Sequence, residues 1–175
     1  MLRAGARIRY ERSTVALTDL SHLRWKCSTC DEWHTGPCLD FGCSEPRNWR
    51  RESAASADPG TCLTDDYCTI RDDDFFDRGL IHLPITGTGE SFRRGVWGSL
   101  SKANFDRLRG PDTADLPPMF SWLSTRLPEY PDTLNLKMYA HLQERGQRPH
   151  FRLESSDHPL AQEYHHGIAP SVSGN

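Results

Sequence analysis

The sequence contains a pair of cysteines whose spacing suits a metal ion. Cys27 and Cys30 form a C-x2-C motif, and His34 follows after three further residues. Two thiolates on a tight turn can take neighbouring positions around one tetrahedral Zn²⁺ at ~2.3 Å, and two more nitrogen or sulfur ligands complete such a site. His34 is a candidate third ligand, and Cys62 or Cys68 is a candidate fourth. Four protein ligands would make the zinc structural, because no position stays open for a catalytic water.

Other interpretations of the six cysteines remain open. A disulfide framework needs an oxidising compartment, and the N-terminus lacks the apolar block of a secretory signal. A thioredoxin-like redox pair normally opens a helix after a strand, whereas this motif leads into Thr35, Gly36 and Pro37. A role as small hydrophobic residues suits Cys43 and Cys68 better than it suits the paired motif.

A second candidate for chemistry lies on a predicted strand. If Phe75–Leu83 is a regular strand, Arg78 and His82 share one face and can line a pocket for an anion. Together with His158, they are the candidate residues of a hydrolase. The alternative for Arg78 is an ion pair with one of the nearby acidic residues Asp72, Asp73, Asp74 and Asp77. Those aspartates lack the ligand spacing and the glycine of a calcium loop, so they also fit a solvated turn.

The elements that must position these residues are predicted to be strands and short helices. Helices are expected from Ser101 to Gly110, over Met119–Leu127 with Phe120, Leu123 and Leu127 at helical spacing, and over Pro159–His166 with Ser156 or Asp157 as cap. Strands are predicted at Asp66–Ile70, Phe75–Ile85, Arg94–Leu100, Thr133–Gln143 and His150–Leu153. Short turns between strands favour an antiparallel sheet. We therefore predict an α+β fold, with a mainly antiparallel sheet, short helices packed on it and a Cys-rich N-terminal knuckle.

Composition excludes several classes of protein. The chain has 175 residues with 26% charged and 36% apolar residues, which suits one globular domain. No run approaches the roughly 18 apolar residues of a membrane span, so we expect a soluble, cytoplasmic protein without a membrane partner. A net charge of −3 gives no overall attraction to nucleic acid. We expect a basic, disordered extension over residues 1–24, a single domain over 25–168 and a tail over 169–175.

Several separated segments resemble a bacterial family, that of domain of unknown function 2199. They are the Cys27/Cys30 motif with His34 and Pro37, and then Leu63–Ile85, Trp97–Phe105, Leu127–Leu136 and Arg148–Ile168. The resemblance implies one domain from about Trp25 to Ile168, with Cys27, Cys30, His34 and Cys68 as family features. It carries no activity or substrate. The chain departs from the family pattern at Asp77, where an apolar residue is usual, and at Asp31, where glycine is usual.

Taken together, these patterns predict a small non-enzymatic binding or regulatory module, stabilised by a structural zinc held by Cys27, Cys30, His34 and Cys68. Its partner is an unidentified protein or small molecule. One alternative is a hydrolase-like enzyme with a pocket around Arg78, His82 and His158. Another is an immunity-type domain that binds a second protein through its sheet or an acidic surface.

Overall fold

The computed structural model describes residues 24–27, 31–36, 39–49, 59–110, 116–144 and 146–169. The ten strands are β1 (Arg24–Lys26), β2 (Trp33–Thr35), β3 (Asp40–Gly42), β4 (Cys62–Leu63), β5 (Tyr67–Ile70), β6 (Asp74–Pro84), β7 (Ser91–Leu100), β8 (Met119–Leu123), β9 (Lys137–His141) and β10 (His150–Leu153). The helices given in full within these residues are α1 (Lys102–Arg109) and α2 (Pro159–His166). Residues 1–23 of the predicted extension and 170–175 of the predicted tail lie outside the described residues.

Five consecutive strands, β6 to β10, close into a barrel. Each of the pairs β6–β7, β7–β8, β8–β9 and β9–β10 is antiparallel, and β10 returns to β6 in parallel. Because each strand reverses the direction of the one before it, the first and fifth strands run the same way, so the closing pair must be parallel. The closure is short: His150 pairs with Leu80, and the Leu80 N–H donates to the Pro149 carbonyl at 2.9 Å.

The barrel interior is packed around Phe151, which is 1% exposed. Two glycines leave the space that its ring fills. A Cβ at Gly79 would lie 2.5 Å from Phe151 Cε2, and one at Gly98 would lie 2.7 Å from Phe151 Cζ. The other buried residues of this cluster are apolar residues of the five strands and the following segments: Ile81, Leu83, Val96, Met119, Leu123, Leu127, Met138, Ala140, Leu153 and Leu160.

A second, smaller core lies beside β5. Cys68, Ile70, Phe76 and Trp97 form its buried cluster, and Cys43, Trp49 and Leu63 pack against it. The strands that build this side extend the sheet beyond the barrel, since β5 and β4 follow β6 while β3 pairs in parallel with β7. β1 and β2 form a separate two-stranded antiparallel ribbon.

Most of the predicted elements are confirmed. The Asp66–Ile70, Phe75–Ile85, Arg94–Leu100 and His150–Leu153 predictions correspond to β5, β6, β7 and β10, with ends shifted by up to three residues. Ser101 caps α1, and its hydroxyl accepts from the Asn104 N–H at 3.3 Å. The predicted bounds of α2 are also those of the structure. Its cap is His158, whose Nδ1 accepts from the Leu160 N–H at 3.1 Å, so the expected Ser156 or Asp157 cap was wrong.

The predicted helix Met119–Leu127 is wrong. Met119–Leu123 is strand β8, in which Met119, Ser121 and Leu123 are buried and alternate with more exposed residues. This period of two competes with the helical spacing of Phe120, Leu123 and Leu127, and pairing with β7 and β9 decides in favour of the strand. The long strand predicted over Thr133–Gln143 is shortened to β9, because Asn135 adopts a φ of 62° just before it.

The described part of the chain is therefore mostly β, with a closed five-stranded barrel, added strands and two short helices. This composition is compatible with the predicted α+β class. The predicted Cys-rich knuckle includes Cys30 and Cys38, which lie outside the described residues. Within the described segments, no helix is both long and apolar enough to cross a membrane.

Replacing Gly79 with alanine tests the packing of the barrel seam. The new Cβ would lie 2.6 Å from the Pro149 carbonyl oxygen as well as against Phe151, and the backbone atom cannot rotate away. We expect Gly79→Ala to lower the free energy of unfolding by about 1–3 kcal/mol, as overpacked cores do. Urea denaturation measures it, with Gly110→Ala as the milder comparison, since Gly110 has a φ of −69° that alanine adopts and its nearest atom, the Arg107 carbonyl oxygen at 3.3 Å, asks for a small shift only. Equal stability of Gly79→Ala and the wild type would contradict the described seam.

Candidate anion-binding site

Three arginines converge on the turn between β4 and β5. The turn is held by Thr64, whose hydroxyl accepts from the Asp66 and Tyr67 N–H groups at 3.2 and 2.9 Å. Its Asp65 carbonyl accepts from Arg78 Nη1 at 3.2 Å and from Arg148 Nη2 at 3.3 Å. One backbone oxygen and one side-chain oxygen of Asp66 extend this hydrogen-bond network. The Asp66 carbonyl accepts from Arg109 Nη2 at 3.4 Å, and Asp66 Oδ1 accepts from Arg148 Nε at 2.9 Å.

The three guanidinium groups come from distant parts of the chain. Arg78 lies on β6, Arg109 is the last residue of α1, and Arg148 precedes β10. The parallel pairing of β10 with β6 brings the third of these to the other two. All three border a cavity of about 240 Å³, whose lining also includes Asp66, Asp77, Leu108, Gly110, Leu142, Gln143, Glu144, Gly146, Gln147 and Pro149.

Arg78 is half-buried, and its position depends on two neighbours. The guanidinium carbon lies 6.0 Å from the centroid of the Trp97 ring, within reach of a cation–π contact. Gly42 leaves room for it, since a Cβ there would lie 2.7 Å from Arg78 Nη2. Burial, and secondly the positive charge of Arg148, lower the pKa of the guanidinium. The buried Nε of Arg78 has no hydrogen-bond partner among the described residues.

Asp77 lies on the same strand and is 0% exposed. Its Oδ1 forms an ion pair with Arg109, and among the described residues its Oδ2 has no hydrogen-bond partner. Arg109 is further held over the rings of Tyr67 and Phe105, at 4.8 and 5.8 Å from their centroids. The predicted pairing of Arg78 with a neighbouring aspartate is replaced by its hydrogen bond to the Asp65 carbonyl, and the aspartate of this region that is buried pairs with Arg109 instead.

The hydrolase residues do not meet around one cavity. Arg78 borders the arginine cavity, whereas His82 borders a second cavity of about 270 Å³ together with His150, Arg152 and Tyr164. His158 caps α2 through its Nδ1. The three side chains therefore lie in three different settings, and the structure gives no support to a shared catalytic pocket.

The predicted zinc ligands fall into two places. Cys27 follows β1 and His34 lies on β2, in the small ribbon, whereas Cys68 lies in the second core between Phe76 and Leu63. Burial raises the pKa of the Cys68 thiol to about 12. No three His, Cys, Asp or Glu side chains within the described segments are grouped so as to hold a metal. Cys30 lies outside those segments.

The turn after β1 has a geometry of its own. The Cys27 N–H donates to the Glu32 carbonyl at 2.8 Å, and the Asp31 N–H donates to the Cys27 carbonyl at 3.0 Å. Asp31 has a φ of 59°, in the left-handed region that glycine adopts most easily. The glycine that the family resemblance implies at this position would adopt such a φ without strain. The ion pair of Asp31 with Lys26, at 2.7 Å, joins the turn to β1.

Sequence reasoning identified Arg78 but missed Arg109, Arg148 and the Asp65–Asp66 turn. Asp77 is a sequence signal for one of these arginines. An acidic residue at an apolar position of a strand is expected to be buried, and a buried carboxylate needs a positively charged partner. The identity of that partner depends on how α1 folds back over β6. Nothing in the local sequence around Arg148 connects it to residues more than 80 positions earlier.

In the described part of the chain, a closed five-stranded barrel with added strands and two short helices defines a mostly β fold, whose polar cavity lies where the barrel closes. The chain belongs to a bacterial family described as "Uncharacterized protein conserved in bacteria (DUF2199)", whose family model matches residues 26–168. This confirms the resemblance found in the sequence. Neither a curated protein nor a solved structure matches the chain.

The histidines at the barrel seam predict acid sensitivity. The rings of His82 and His150 lie 4.2 Å apart, and His141 pairs with His150 across β9 and β10. Burial lowers the pKa of all three histidines below the usual 6.5. The positive charge of Arg152 lowers the pKa of His141 and His150 further. At His82, the charges of His150 and Arg93 also lower the pKa, and Asp40 acts in the opposite direction. The unfolded chain then binds protons more readily than the folded one. Their contribution to stability is thus complete above about pH 6.5 and is lost as the pH falls through the folded pKa values.

Urea denaturation at pH 7.5, 6.0 and 5.0 measures this loss. We expect His150→Gln to reduce the drop in unfolding free energy between pH 7.5 and 5.0. The variant removes one histidine whose pKa is lowered by folding, and it removes the charge of His150 that lowers the pKa of His82. His166→Gln, at the exposed end of α2, is the matched control and should behave as the wild type. If the unfolding free energy of His150→Gln depends on pH as that of the wild type does, the seam histidines do not cause the loss of stability at low pH.

Proposed function

We propose that the protein is a non-enzymatic binding module that takes a small anion in the arginine cavity. The observation that carries the proposal is the convergence of Arg78, Arg109 and Arg148 on one cavity of about 240 Å³. Guanidinium groups are planar, permanently charged and suited to bidentate hydrogen bonds with carboxylate or phosphate oxygens. Three of them at one concave site favour an anionic ligand.

Electrostatics supports this proposal. Arg78 and Arg148 are close enough for their charges to oppose each other, since burial first and the charge of Arg148 second lower the pKa of Arg78. An anion between them would relieve this repulsion, and the half-buried setting of Arg78 would reduce screening by water. Arg109 pairs with the fully buried Asp77, whereas the pair of Arg148 with Asp66 is partly exposed, so the site for an anion lies on the side of Arg78 and Arg148.

The cavity also has a purely structural interpretation, in which the arginines only tie β6, α1 and the segment before β10 to the Asp65–Asp66 turn. The two interpretations differ in their consequences. A structural network loses stability when an arginine is removed but does not respond to added anions. A binding site is stabilised by the anion, in proportion to its concentration relative to Kd.

Replacing Arg148 tests anion binding with little risk to the fold. Its ion pair with Asp66 is partly exposed, with 36% and 56% of the two side chains accessible, so its loss should cost no more than about 1 kcal/mol of stability. We expect acetate, phosphate or sulfate to bind the wild type in calorimetric titrations at constant ionic strength. Arg148→Gln should bind the same anion about 10- to 100-fold more weakly, the effect of a charged hydrogen bond.

Arg126→Gln is the matched control, because Arg126 forms a surface pair with Asp132 and does not border the cavity. Its affinity should equal that of the wild type. Arg78→Gln provides a second variant, and a thermal melt checks that it is folded. If none of the three anions binds the wild type, the arginines are structural and the proposal is wrong.

As a second proposal, a structural zinc is held by the Cys27/Cys30 motif with His34, and with Cys68 as the predicted fourth ligand. Support comes from the backbone hydrogen bonds of Cys27 with Glu32 and Asp31, which bring the residues on either side of Cys30 in the sequence together. Such short loops are typical of paired zinc ligands. Cys68 has the weaker support, since it packs in the second core.

Elemental analysis of the purified, reduced protein tests the zinc proposal. We expect about one zinc per chain in the wild type, loss of zinc in Cys27→Ser/Cys30→Ser, and a lower melting temperature of the wild type in chelator. Cys43→Ser, which changes a half-buried cysteine outside the candidate ligand set, is the control and should retain its zinc. A Cys68→Ser variant that keeps full zinc would remove Cys68 from the ligand set. Wild-type protein without zinc, and with a melt unaffected by chelator, would contradict the proposal.

A further inference from the structure

We infer that the ligand of the arginine cavity is a monocarboxylate with a short apolar stem, such as a carboxylic acid of four or five carbons. This inference rests on the proposed anion-binding function and gives it a chemical class. It follows from the charge around the cavity, the donors that remain for a ligand, and the apolar residues beside them.

Charge favours a ligand with one negative charge over a ligand with two. The three arginines of the lining are balanced by three carboxylates, those of Asp66, Asp77 and the exposed Glu144. The lining as a whole therefore has no positive excess to offset a multiply charged ligand. A phosphate monoester carries about −1.5 to −2 at neutral pH and a dicarboxylate carries −2. A monocarboxylate adds a single negative charge beside Arg78 and Arg148, which is the smaller cost.

Enough donors remain for a carboxylate. Each guanidinium has five N–H donors. The described hydrogen bonds use one donor of Arg78, to the Asp65 carbonyl, and two of Arg148, to Asp65 and Asp66. Two oxygens of a carboxylate can accept from two such neighbouring guanidiniums, in the geometry that planar groups favour. Arg109 is engaged by the fully buried Asp77, which would repel a second anionic group on that side.

The other lining residues fit a short apolar stem. Leu108, Leu142 and Pro149 border the same cavity as the arginines, on the side of α1 and of the segments that flank β9 and β10. A cavity of about 240 Å³ corresponds to roughly eight waters at about 30 Å³ each, below the usual range of pockets for larger ligands. It therefore suits a molecule of a few carbons better than a nucleotide or a sugar phosphate.

Calorimetric titration of the full chain with acetate, butyrate, succinate and inorganic phosphate, at pH 7.5 and constant ionic strength, tests the inference. Each methylene that is buried should tighten binding about fourfold, so butyrate should bind at least tenfold more tightly than acetate. Butyrate should also bind more tightly than succinate and phosphate. Arg148→Gln should weaken butyrate binding at least tenfold, whereas Arg126→Gln should leave it unchanged.

A second variant distinguishes the contribution of the apolar stem to the affinity from that of the carboxylate. Leu142→Ala, whose folding is checked by a thermal melt because Leu142 also packs against the barrel core, should reduce the preference for butyrate over acetate to less than threefold. A wild type that binds phosphate or succinate more tightly than butyrate would overturn the monocarboxylate inference and leave the anion site standing. A wild type that binds none of the four would overturn both the inference and the proposed function.

Discussion

The parallel pairing of β10 with β6 is the contact on which the rest of the structure depends. It is short, centred on Leu80 and His150, and it closes the barrel around Phe151. Gly79 makes the closure possible, because any side chain at that position would meet both the Phe151 ring and the Pro149 carbonyl. The closure also places Arg148, two residues before His150, against the Asp65–Asp66 turn. Barrel and candidate site therefore have a common origin.

The candidate site combines charges that would each be unfavourable alone. A fully buried Asp77 is tolerated because Arg109 pairs with it, and the half-buried Arg78 is held by the Asp65 carbonyl and by the Trp97 ring. Buried charges of this kind contribute less to stability than well-packed apolar residues would. Their presence beside a cavity, rather than in a solid core, is what favours a binding role over a structural one.

The sequence allowed the local elements to be predicted better than their assembly. Pro159 at the start of α2 and Gly167 after its end mark that helix unambiguously. In Met119–Leu127 the apolar residues fit two periods at once, and only the pairing of β8 with its neighbours distinguishes them. Five strands in succession predict an antiparallel meander, but its closure pairs Leu80 with His150, and no local pattern encodes so distant a contact. The convergence of Arg78, Arg109 and Arg148 depends on the same closure.

The central claim is that barrel closure assembles an anion site from Arg78 and Arg148. Nuclear magnetic resonance of the arginine Nε–Hε groups tests it most directly, because it reports on individual guanidiniums while butyrate is added to the folded protein. We predict saturable shifts of the Arg78 and Arg148 signals, with the Arg126 signal unchanged. Shifts that are equal for all arginines, or absent at Arg78 and Arg148, would contradict the account.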